Sequence, residues 1–272
     1  MNDIELYVLD MDGTIYLGNN LFPETLPFLE RCRQHGKKYI FFTNNSSRSP
    51  ETYVKRLNGM GIRASREDIV TSGDVMIHFL KTHRPGQSVY LVGTPDLEAS
   101  FRQAGIPLVE DGPEDSLPAN WKTDIPDIVL LGFDTTLTYH KLERACHFLR
   151  SGAEFLSTHE DINCPTEYGF MPDSGAMAAL ITMSTGVKPR FTGKPHEEVL
   201  EILEAHTGIS RSRMAAVGDR LYTDIALGAK NNVTSILVMS GETTPEDLAV
   251  SEIKPTLVVR NIGELERDGS DQ

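Results

Sequence analysis

Two carboxylates stand two residues apart near the N-terminus, directly after a short apolar run. The run from Ile4 to Leu9 is typical of a buried strand that ends on Asp10, and Asp12 follows it. In open α/β sheets, ligands bind at the carboxyl ends of the strands. Aspartate is rarely buried unless it is paired or coordinates a metal, so this pair favours a chemical role over packing. We predict that Asp10 is a nucleophile, that Asp12 is an acid and base, and that the pair requires Mg²⁺.

Three further groups of polar residues follow strand-like runs later in the chain. They are Thr43, Asn44 and Asn45 after the run at 39–42, Lys194 in a Gly-Lys-Pro loop after Phe191, and Asp219 and Asp224 after the run that begins at Met214. If these strands belong to one parallel sheet, all four groups fall at the same edge. That convergence predicts one site. Asn44 and Asn45 are candidate phosphate-binding residues, although both could serve only a turn.

These residue types match what phosphoryl transfer needs, which is in-line placement and neutralisation of charge on the phosphate oxygens. Asp10 can attack phosphorus and form an aspartyl phosphate. Asp12 would protonate the leaving oxygen and then take a proton from the hydrolytic water. Lys194 would balance the charges of Asp10 and the phosphate. Thr43 and nearby backbone N–H groups would donate to the phosphate oxygens.

The acidic residues also predict a magnesium site. Mg²⁺ prefers six oxygen ligands in an octahedron and keeps several waters. Asp10 and Asp219 can each give one carboxylate oxygen, and the backbone carbonyl of Asp12 can give another. Asp224 would hold a bound water or orient the ligands, although it could instead cap the helix that follows it.

Apolar strand-like runs alternate with amphipathic helical stretches along almost the whole chain. This βαβ pattern predicts the α/β class, with a mainly parallel sheet covered by helices. The pattern restarts near the Pro-Gly pair at 85–86. We therefore predict a core domain formed by residues 1–85 and 183–272, with a smaller α/β domain at 86–182 inserted into it.

Composition limits the classes of function. The chain has 272 residues, 39% of them hydrophobic, and a formal net charge of −13. An acidic surface argues against nonspecific binding to nucleic acid or an anionic membrane. No apolar run has the length of a membrane span, and the acidic N-terminus does not look like a signal peptide. The three cysteines are widely spaced, which suits reduced thiols. We expect a cytoplasmic protein.

Four motifs resemble a known superfamily. DMDGT, TNN, GKP and GDRLYTD resemble, in order, the motifs of the haloacid dehalogenase (HAD) superfamily of phosphatases. The insert between the second and third motifs looks like that superfamily's type-2 cap. LGFDTTLTYHKL, CPTEYG and SGA resemble the NagD-like, p-nitrophenylphosphatase branch.

The resemblance implies a Rossmann-like core, a cap domain and Mg²⁺-dependent hydrolysis of small phosphate monoesters. In that family, residues matching Asp10 and Asp12 are the nucleophile and the acid/base. Those matching Thr43 and Lys194 bind phosphate, and the residue matching Asp219 binds metal. Relatives often pair through the cap, so a homodimer is one open assembly state.

The chain departs from the branch pattern in its insert. A loop that usually reads close to TNPD has Thr158 followed by His159, Glu160 and Asp161, and a stretch that usually reads PGxG is PDSG. We predict a substrate-specificity loop at these residues, although an exposed loop histidine is an equally good interpretation. Sugar phosphates, glycerol phosphate, nucleoside monophosphates and pyridoxal phosphate all stay open as substrates.

The same fold can also support functions other than hydrolysis of phosphate esters. A dehalogenase is disfavoured because Asp12 is present, and that chemistry has no alkoxide leaving group to protonate. A phosphotransferase or mutase would differ only in what accepts the phosphoryl group, which the sequence does not show. A non-catalytic metabolite-binding protein would be expected to have lost Asp10 or Lys194, and both are present.

Overall fold

Parallel strands and the helices between them account for most of the secondary structure. The computed structural model describes residues 3–110, 123–166 and 169–267. The strands in those ranges are β1 (Leu6–Leu9), β2 (Tyr16–Leu17), β3 (Asn20–Leu21), β4 (Lys38–Thr43), β5 (Ile69–Thr71), β6 (Val89–Val92), β7 (Ile128–Leu131), β8 (Glu154–Ser157), β9 (Asn163–Thr166), β10 (Gly169–Pro172), β11 (Arg190–Phe191), β12 (Met214–Gly218), β13 (Thr234–Val238) and β14 (Leu257–Val259). The helices are α1 (Thr25–Gln34), α2 (Pro50–Gly59), α3 (Ser72–His83), α4 (Pro95–Gln103), α5 (Tyr139–Arg150), α6 (Ser174–Thr185), α7 (Glu198–Thr207), α8 (Ala226–Asn231) and α9 (Pro245–Val250). A π-helical turn, Leu221–Ile225, precedes α8.

The chain divides into two compact units. The first contains Met1–Thr43, Pro50–Val70 and Lys194–Gln272, and the second contains Asn44–Ser49 and Thr71–Gly193. We call Asn44–Ser49 the connecting loop.

A parallel sheet forms the centre of the first unit, with the strand order β14-β13-β12-β1-β4-β5. β1 pairs in parallel with β12 and with β4, and Leu9 lies opposite Val217 on one side and Phe41 on the other. The chain leaves β1 towards β4 and returns at β12, so the strand order reverses beside β1. Such a switch point is where open α/β sheets bind ligands. Asp10 and Asp219 follow the two strands that flank it.

Apolar residues on both faces of this sheet are buried, because helices cover both faces. All four residues of β1 and all five of β12 are buried. Tyr7 packs edge-on against Phe28 of α1, with ring centroids 5.5 Å apart. Burial of such side chains contributes about 1.5–3 kcal/mol each. The strands that carry the site are therefore held from both sides.

A second parallel sheet forms the centre of the second unit, with the order β11-β8-β7-β6. Leu131 of β7 lies opposite Val92 of β6 and Ser157 of β8. An antiparallel hairpin of β9 and β10 precedes α6. Two parallel sheets with covering helices confirm the predicted α/β class, with a Rossmann-like core and a second α/β unit.

The boundaries of the second unit differ from those expected at 86 and 182. Residues 71–85 belong to it because Met76 and Phe79 of α3 pack in one apolar cluster with Phe101 of α4. Residues 183–193 belong to it because β11 pairs with β8. The sequence pattern predicted that the second unit begins at the Pro-Gly pair at 85–86. Side-chain packing shows that it also includes the helix before that pair, α3.

Among the described residues, no helix combines the length and the apolar character that crossing a membrane requires.

Glu266 ties the end of the described chain to β1 and α1. Its side chain, 7% exposed, accepts hydrogen bonds from the Tyr7 hydroxyl and, at 2.7 Å, from the Lys37 ammonium. His35 Nδ1 lies 2.8 Å from its second oxygen. Burial acts to raise the pKa of Glu266, but these three hydrogen bonds outweigh burial and hold the pKa below its ordinary value.

We expect Glu266→Gln to lower the free energy of unfolding of the first unit by about 1–3 kcal/mol near neutral pH, because buried donors lose a charged acceptor. A carboxyl group with a lowered folded-state pKa stabilises the fold above its unfolded-state pKa. That contribution is lost as the pH falls through the folded-state pKa. The difference between the two proteins should therefore be full near neutral pH and shrink below about pH 4.5. Urea unfolding followed by circular dichroism across this range measures it.

Glu264→Gln is the matched control, since Glu264 pairs with the exposed Arg260. Its effect should stay below about 0.5 kcal/mol. If Glu266→Gln lowers the free energy of unfolding equally at all pH values, or does not lower it near neutral pH, the role given to the Glu266 hydrogen bonds is wrong.

Candidate active site

Asp10 stands at the end of β1, beside the switch point. Its backbone N–H donates to the Val217 carbonyl at 2.9 Å, so the parallel pairing with β12 extends to Asp10 itself. Its side chain is 15% exposed. Burial raises the pKa of Asp10 to about 6, although the nearby Lys194 acts to lower it. The strand therefore holds a carboxylate where water is scarce, and this carboxylate needs a cation.

Lys194 supplies that charge. Its ammonium donates to Asp10 Oδ1 at 2.8 Å and to Asp224 Oδ1 at 2.6 Å, and its side chain is 3% exposed. Burial acts to lower the pKa of Lys194, but the two carboxylates outweigh it and hold the pKa above its ordinary value. The ammonium also lies 5.0 Å from the centre of the Phe42 ring. Lys194 therefore stays protonated between two acidic side chains.

The strand before Lys194 is not where the sequence suggested. We expected this strand, which ends at Phe191, to share one sheet with β1, but β11 belongs to the sheet of the second unit. That expectation was wrong because β11 has two residues and its neighbour was not visible in the pattern. Lys194 nevertheless reaches Asp10, as predicted from the Gly-Lys-Pro loop.

Asp219 follows β12 and is buried, and only one of its two carboxylate oxygens has a hydrogen-bond partner among the described residues. Its Oδ2 accepts the backbone N–H of Glu242 at 2.6 Å, while its Oδ1 is buried with no hydrogen-bond partner among the described residues. Burial, together with the nearby Asp10 and Asp224 carboxylates, raises the pKa of Asp219 to about 7. A buried unpaired acceptor is costly, so this oxygen points to a ligand.

Two glycines let the backbone approach Asp219 closely. A Cβ at Gly13 would lie 2.4 Å from Asp219 Oδ2, and one at Gly241 would lie 2.0 Å from it. Gly13 also has φ +84°, a conformation that other residues rarely adopt. The Ser240 hydroxyl donates to the Gly13 carbonyl at 2.7 Å and links the two loops. The carboxylate is therefore enclosed by main chain.

The acidic cluster fits a divalent cation. Asp10, Asp219 and Asp224 each offer one oxygen, and these atoms lie within 4.8 Å of one another. The unpartnered Asp219 Oδ1 is an oxygen of the kind that Mg²⁺ takes as a ligand. The residues present therefore suit a hard, oxygen-preferring ion.

Asp224 sits in the π-helical turn that precedes α8. Its Oδ1 is occupied by Lys194, and the Thr223 hydroxyl lies 3.3 Å from its Oδ2. The first residues of α8 receive no side-chain capping bond. The capping interpretation of Asp224 is therefore wrong, and Asp224 acts on the site through Lys194.

Asp12 is exposed and lies in the turn after β1. The turn is closed by the Gly13 N–H, which donates to the Tyr16 carbonyl at 2.8 Å. Partial burial of the Asp12 carboxyl raises its pKa, while Arg56 and Arg220 act to lower it. An accessible carboxyl group with a raised pKa can hold a proton and release it.

Thr43 ends β4 in the first unit and is half-buried. Phe41 lies opposite Leu9, so the end of β4 reaches the same edge of the sheet as Asp10. The edge predicted from the sequence therefore carries Thr43, Asp10 and Asp219.

Asn44 and Asn45 begin the connecting loop, within the second unit. Asn45 Oδ1 accepts the Ser47 N–H at 2.9 Å and the Ser47 hydroxyl at 2.7 Å, which closes a local turn. Asn44 Nδ2 donates to Asp161 Oδ1 at 3.0 Å. Both carboxamides thus have partners in their own unit, and a phosphate-binding role for either stays a prediction.

His159 is buried, so the interpretation as an exposed loop histidine is wrong. Its Nε2 lies 2.9 Å from Asp173 Oδ1, and its Nδ1 lies 2.9 Å from the Thr158 hydroxyl. His159 and Asp173 belong to the two stretches that depart from the branch pattern, and here they bond to each other. Asp161 is also buried, and Glu160 is half-buried. A role of this loop in substrate choice stays a prediction; positions 167 and 168 of the CPTEYG motif lie outside the described residues.

Sequence reasoning missed Arg220 and Glu242. Arg220 Nε donates to Glu242 Oε2 at 2.9 Å, and its charge acts on Asp10, Asp12 and Asp219. Its place directly after Asp219 was an available signal. The sequence carried no signal for Glu242, because this residue lies in the loop after β13 and contacts Asp219 through its backbone N–H.

Known proteins resemble this chain in sequence over most of its length. The chain matches the haloacid dehalogenase-like hydrolase family over residues 7–107 and the HAD-hydrolase-like family over residues 191–265. It is 34% identical over 269 residues to an acid sugar phosphatase of Staphylococcus saprophyticus, covering 97% of this chain and 98% of that one.

Solved structures agree with these matches. A 4-nitrophenylphosphatase from Thermotoga maritima is 43% identical, with a TM-score of 0.89 over 98% of each chain. A putative NagD protein is 41% identical, with a TM-score of 0.85 over 96% of this chain and 97% of that one. The chain therefore belongs to the haloacid dehalogenase-like hydrolases and is a phosphatase of their NagD-like branch.

Proposed function

We propose that this phosphatase hydrolyses small phosphate monoesters with Mg²⁺, through an aspartyl phosphate on Asp10. The observation that carries the proposal is the buried ammonium of Lys194 between Asp10 and Asp224, next to the unpartnered oxygen of Asp219. A nucleophilic carboxylate, a fixed positive charge and a free ligand oxygen then lie within one site.

Asp10 begins the reaction in this proposal. One of its carboxylate oxygens attacks phosphorus, and the bond between phosphorus and the ester oxygen breaks. Asp12 gives its proton to the leaving oxygen, so that an alcohol departs. Lys194 and Arg220 offset the charge of the transferred phosphoryl group.

Hydrolysis of the aspartyl phosphate regenerates the enzyme. Asp12, now ionised, takes a proton from a water molecule as that water attacks phosphorus. The bond between phosphorus and the Asp10 oxygen breaks, which releases inorganic phosphate and restores the carboxylate. Thr43, Asn44 and Asn45 are proposed to donate hydrogen bonds to the phosphate oxygens through side chains or backbone N–H groups.

The ion would be held by Asp10, by Asp219 and by the backbone carbonyl of Asp12, with Asp224 orienting Lys194. When bound, it supplies positive charge that stabilises the phosphate oxygens. The buried cluster of carboxylates supports a hard divalent cation, and we propose Mg²⁺ for its preference for oxygen.

Sugar phosphates are the substrate class that we propose first. One relative of this chain is an acid sugar phosphatase, and one solved neighbour is a 4-nitrophenylphosphatase. We propose a cytoplasmic location, which fits the reduced thiols of Cys32, Cys146 and Cys164. A homodimer through the inserted domain, at about 86–182, completes the proposal.

Asp10→Asn should reduce Mg²⁺-dependent phosphate release from 4-nitrophenyl phosphate and glucose 6-phosphate by about 10³-fold or more, because the amide cannot attack phosphorus. Asparagine has nearly the same shape and can still accept from Lys194, so the fold should persist. Phosphate release and thermal unfolding, measured on the same samples, check both statements. Substantial hydrolysis by a folded Asp10→Asn protein would exclude Asp10 as the nucleophile.

Removal of the divalent cation should abolish catalytic activity. Treatment with EDTA should abolish phosphate release and added Mg²⁺ should restore it, since the buried carboxylates need a cation. Asp219→Asn should weaken Mg²⁺ binding, measured by calorimetry without substrate, by at least about tenfold. Glu252→Gln removes one negative charge from an exposed residue and should leave binding unchanged. Activity that ignores EDTA, or equal Mg²⁺ binding in the two variants, would contradict the proposed site.

A further inference from the structure

The connecting loop lies along the carboxyl ends of the strands in the second sheet. After β7, the Phe133 N–H donates to Ser46 Oγ at 2.9 Å. After β8, the Thr158 hydroxyl lies 3.0 Å from the same Ser46 oxygen. After β6, the Thr94 hydroxyl donates to the Ser47 carbonyl at 2.8 Å. This edge is where a parallel sheet ordinarily takes a ligand, and here the chain's own loop occupies it.

Asn44 is held within this loop by contacts of its side chain and its backbone. It is 5% exposed, and its Nδ2 donates to Asp161 Oδ1 at 3.0 Å. Its carbonyl accepts a hydrogen bond from the Ser72 hydroxyl. A Cβ at Gly193 would lie 2.9 Å from Asn44 Oδ1, so only glycine leaves room on that side. The Asp161 carboxylate is therefore a charged acceptor for this buried amide.

Asp161 is itself held by the start of α6. Its backbone carbonyl accepts the Gly175 N–H at 2.8 Å. A Cβ at Gly175 would lie 2.2 Å from the Glu160 carbonyl oxygen, so the two stretches of backbone touch. Asp173 caps α6 by accepting the Ser174 N–H at 2.6 Å. The loop after β8 is thus seated on the first turn of a helix.

The side chain of His159 also stabilises the loop after β8. One ring nitrogen faces Asp173 Oδ1 and the other faces the Thr158 hydroxyl, each at 2.9 Å. Both nitrogens of a buried imidazole are therefore used, which fixes its orientation. His159, Asp161 and Asp173 lie close enough together to suggest a metal site. His159 and Asp173 bond to each other, and Asp161 accepts a hydrogen bond from Asn44, so we interpret the cluster as a positioning device.

We propose that Asp161 is a positioning residue for phosphate binding: it fixes Asn44, and with it the main chain that directly follows Thr43. The proposal rests on the proposed function, in which Thr43 and the backbone after it bind the phosphoryl group. His159 and Asp173 support Asp161 by holding its loop. Asp161 touches no substrate in this account and acts through Asn44.

Asp161→Ala removes the acceptor of the buried Asn44 amide. The KM for 4-nitrophenyl phosphate and the inhibition constant of inorganic phosphate should both rise by roughly 10- to 100-fold. The kcat should change by less than about threefold, because an interaction present in the ground state and the transition state alike affects KM rather than kcat. Asp161→Asn keeps one acceptor oxygen and should recover most of the lost affinity.

Hydrogen exchange of the peptide that covers the connecting loop is the second readout, and it does not need activity. Asp161→Ala should speed exchange in this peptide, and Asp161→Asn should do so less. Asp134→Asn is the matched control. Asp134 is also a buried carboxylate of the second unit, but its side-chain partners are Lys141 and Thr136 rather than the loop. It should leave loop exchange and phosphate affinity unchanged.

The results of these experiments test the positioning role of Asp161 and the proposed function separately. Faster loop exchange with weaker phosphate binding in Asp161→Ala alone supports positioning. Unchanged exchange, equal effects in Asp134→Asn, or faster exchange without any loss of phosphate affinity would overturn it. If the unaltered protein releases no phosphate from any ester with Mg²⁺ present and binds no inorganic phosphate, the proposed function fails and the positioning role fails with it. In that case the exchange data still decide whether Asp161 anchors the loop.

Discussion

The arrangement of acidic residues in the candidate site depends on one buried ammonium. Lys194 touches Asp10 and Asp224 and is almost fully enclosed. Burial and the nearby Asp224 act to raise the pKa of Asp10, and Lys194 acts to lower it. Breaking such a group by removing one partner costs several kcal/mol, about 3–5 in typical cases. The pairing is better understood as a condition for chemistry than as a source of stability.

Much of the candidate site could be predicted from the sequence, because an apolar run followed by polar residues marks the end of a buried strand. The apolar runs before Asp10 and Asp219 imply buried parallel strands, and the polar residues after them imply a shared edge. Both residues lie beside the switch point of the first sheet. Lys194 was found from its short motif even though the strand before it belongs to a different sheet.

Other features depend on contacts between distant parts of the chain and could not be predicted. Glu242 holds Asp219 through a backbone N–H, which leaves no mark on residue type. The pairing of His159 with Asp173 joins two departures from a family pattern, and each departure alone had no explanation. The domain boundary moved because α3 packs on α4, and amphipathic spacing does not reveal which neighbour a helix meets.

The position of β1 has a consequence for how the protein is made. Leu6 pairs with Lys38 on one side and with Met214 on the other, so its two neighbours are synthesised at very different times. By the time β12 leaves the ribosome, the whole of the second unit has already been translated. Since domains generally fold as units during synthesis, the second unit can fold while one side of β1 still lacks its partner strand. Asp10 is therefore made long before the strand that completes its surroundings.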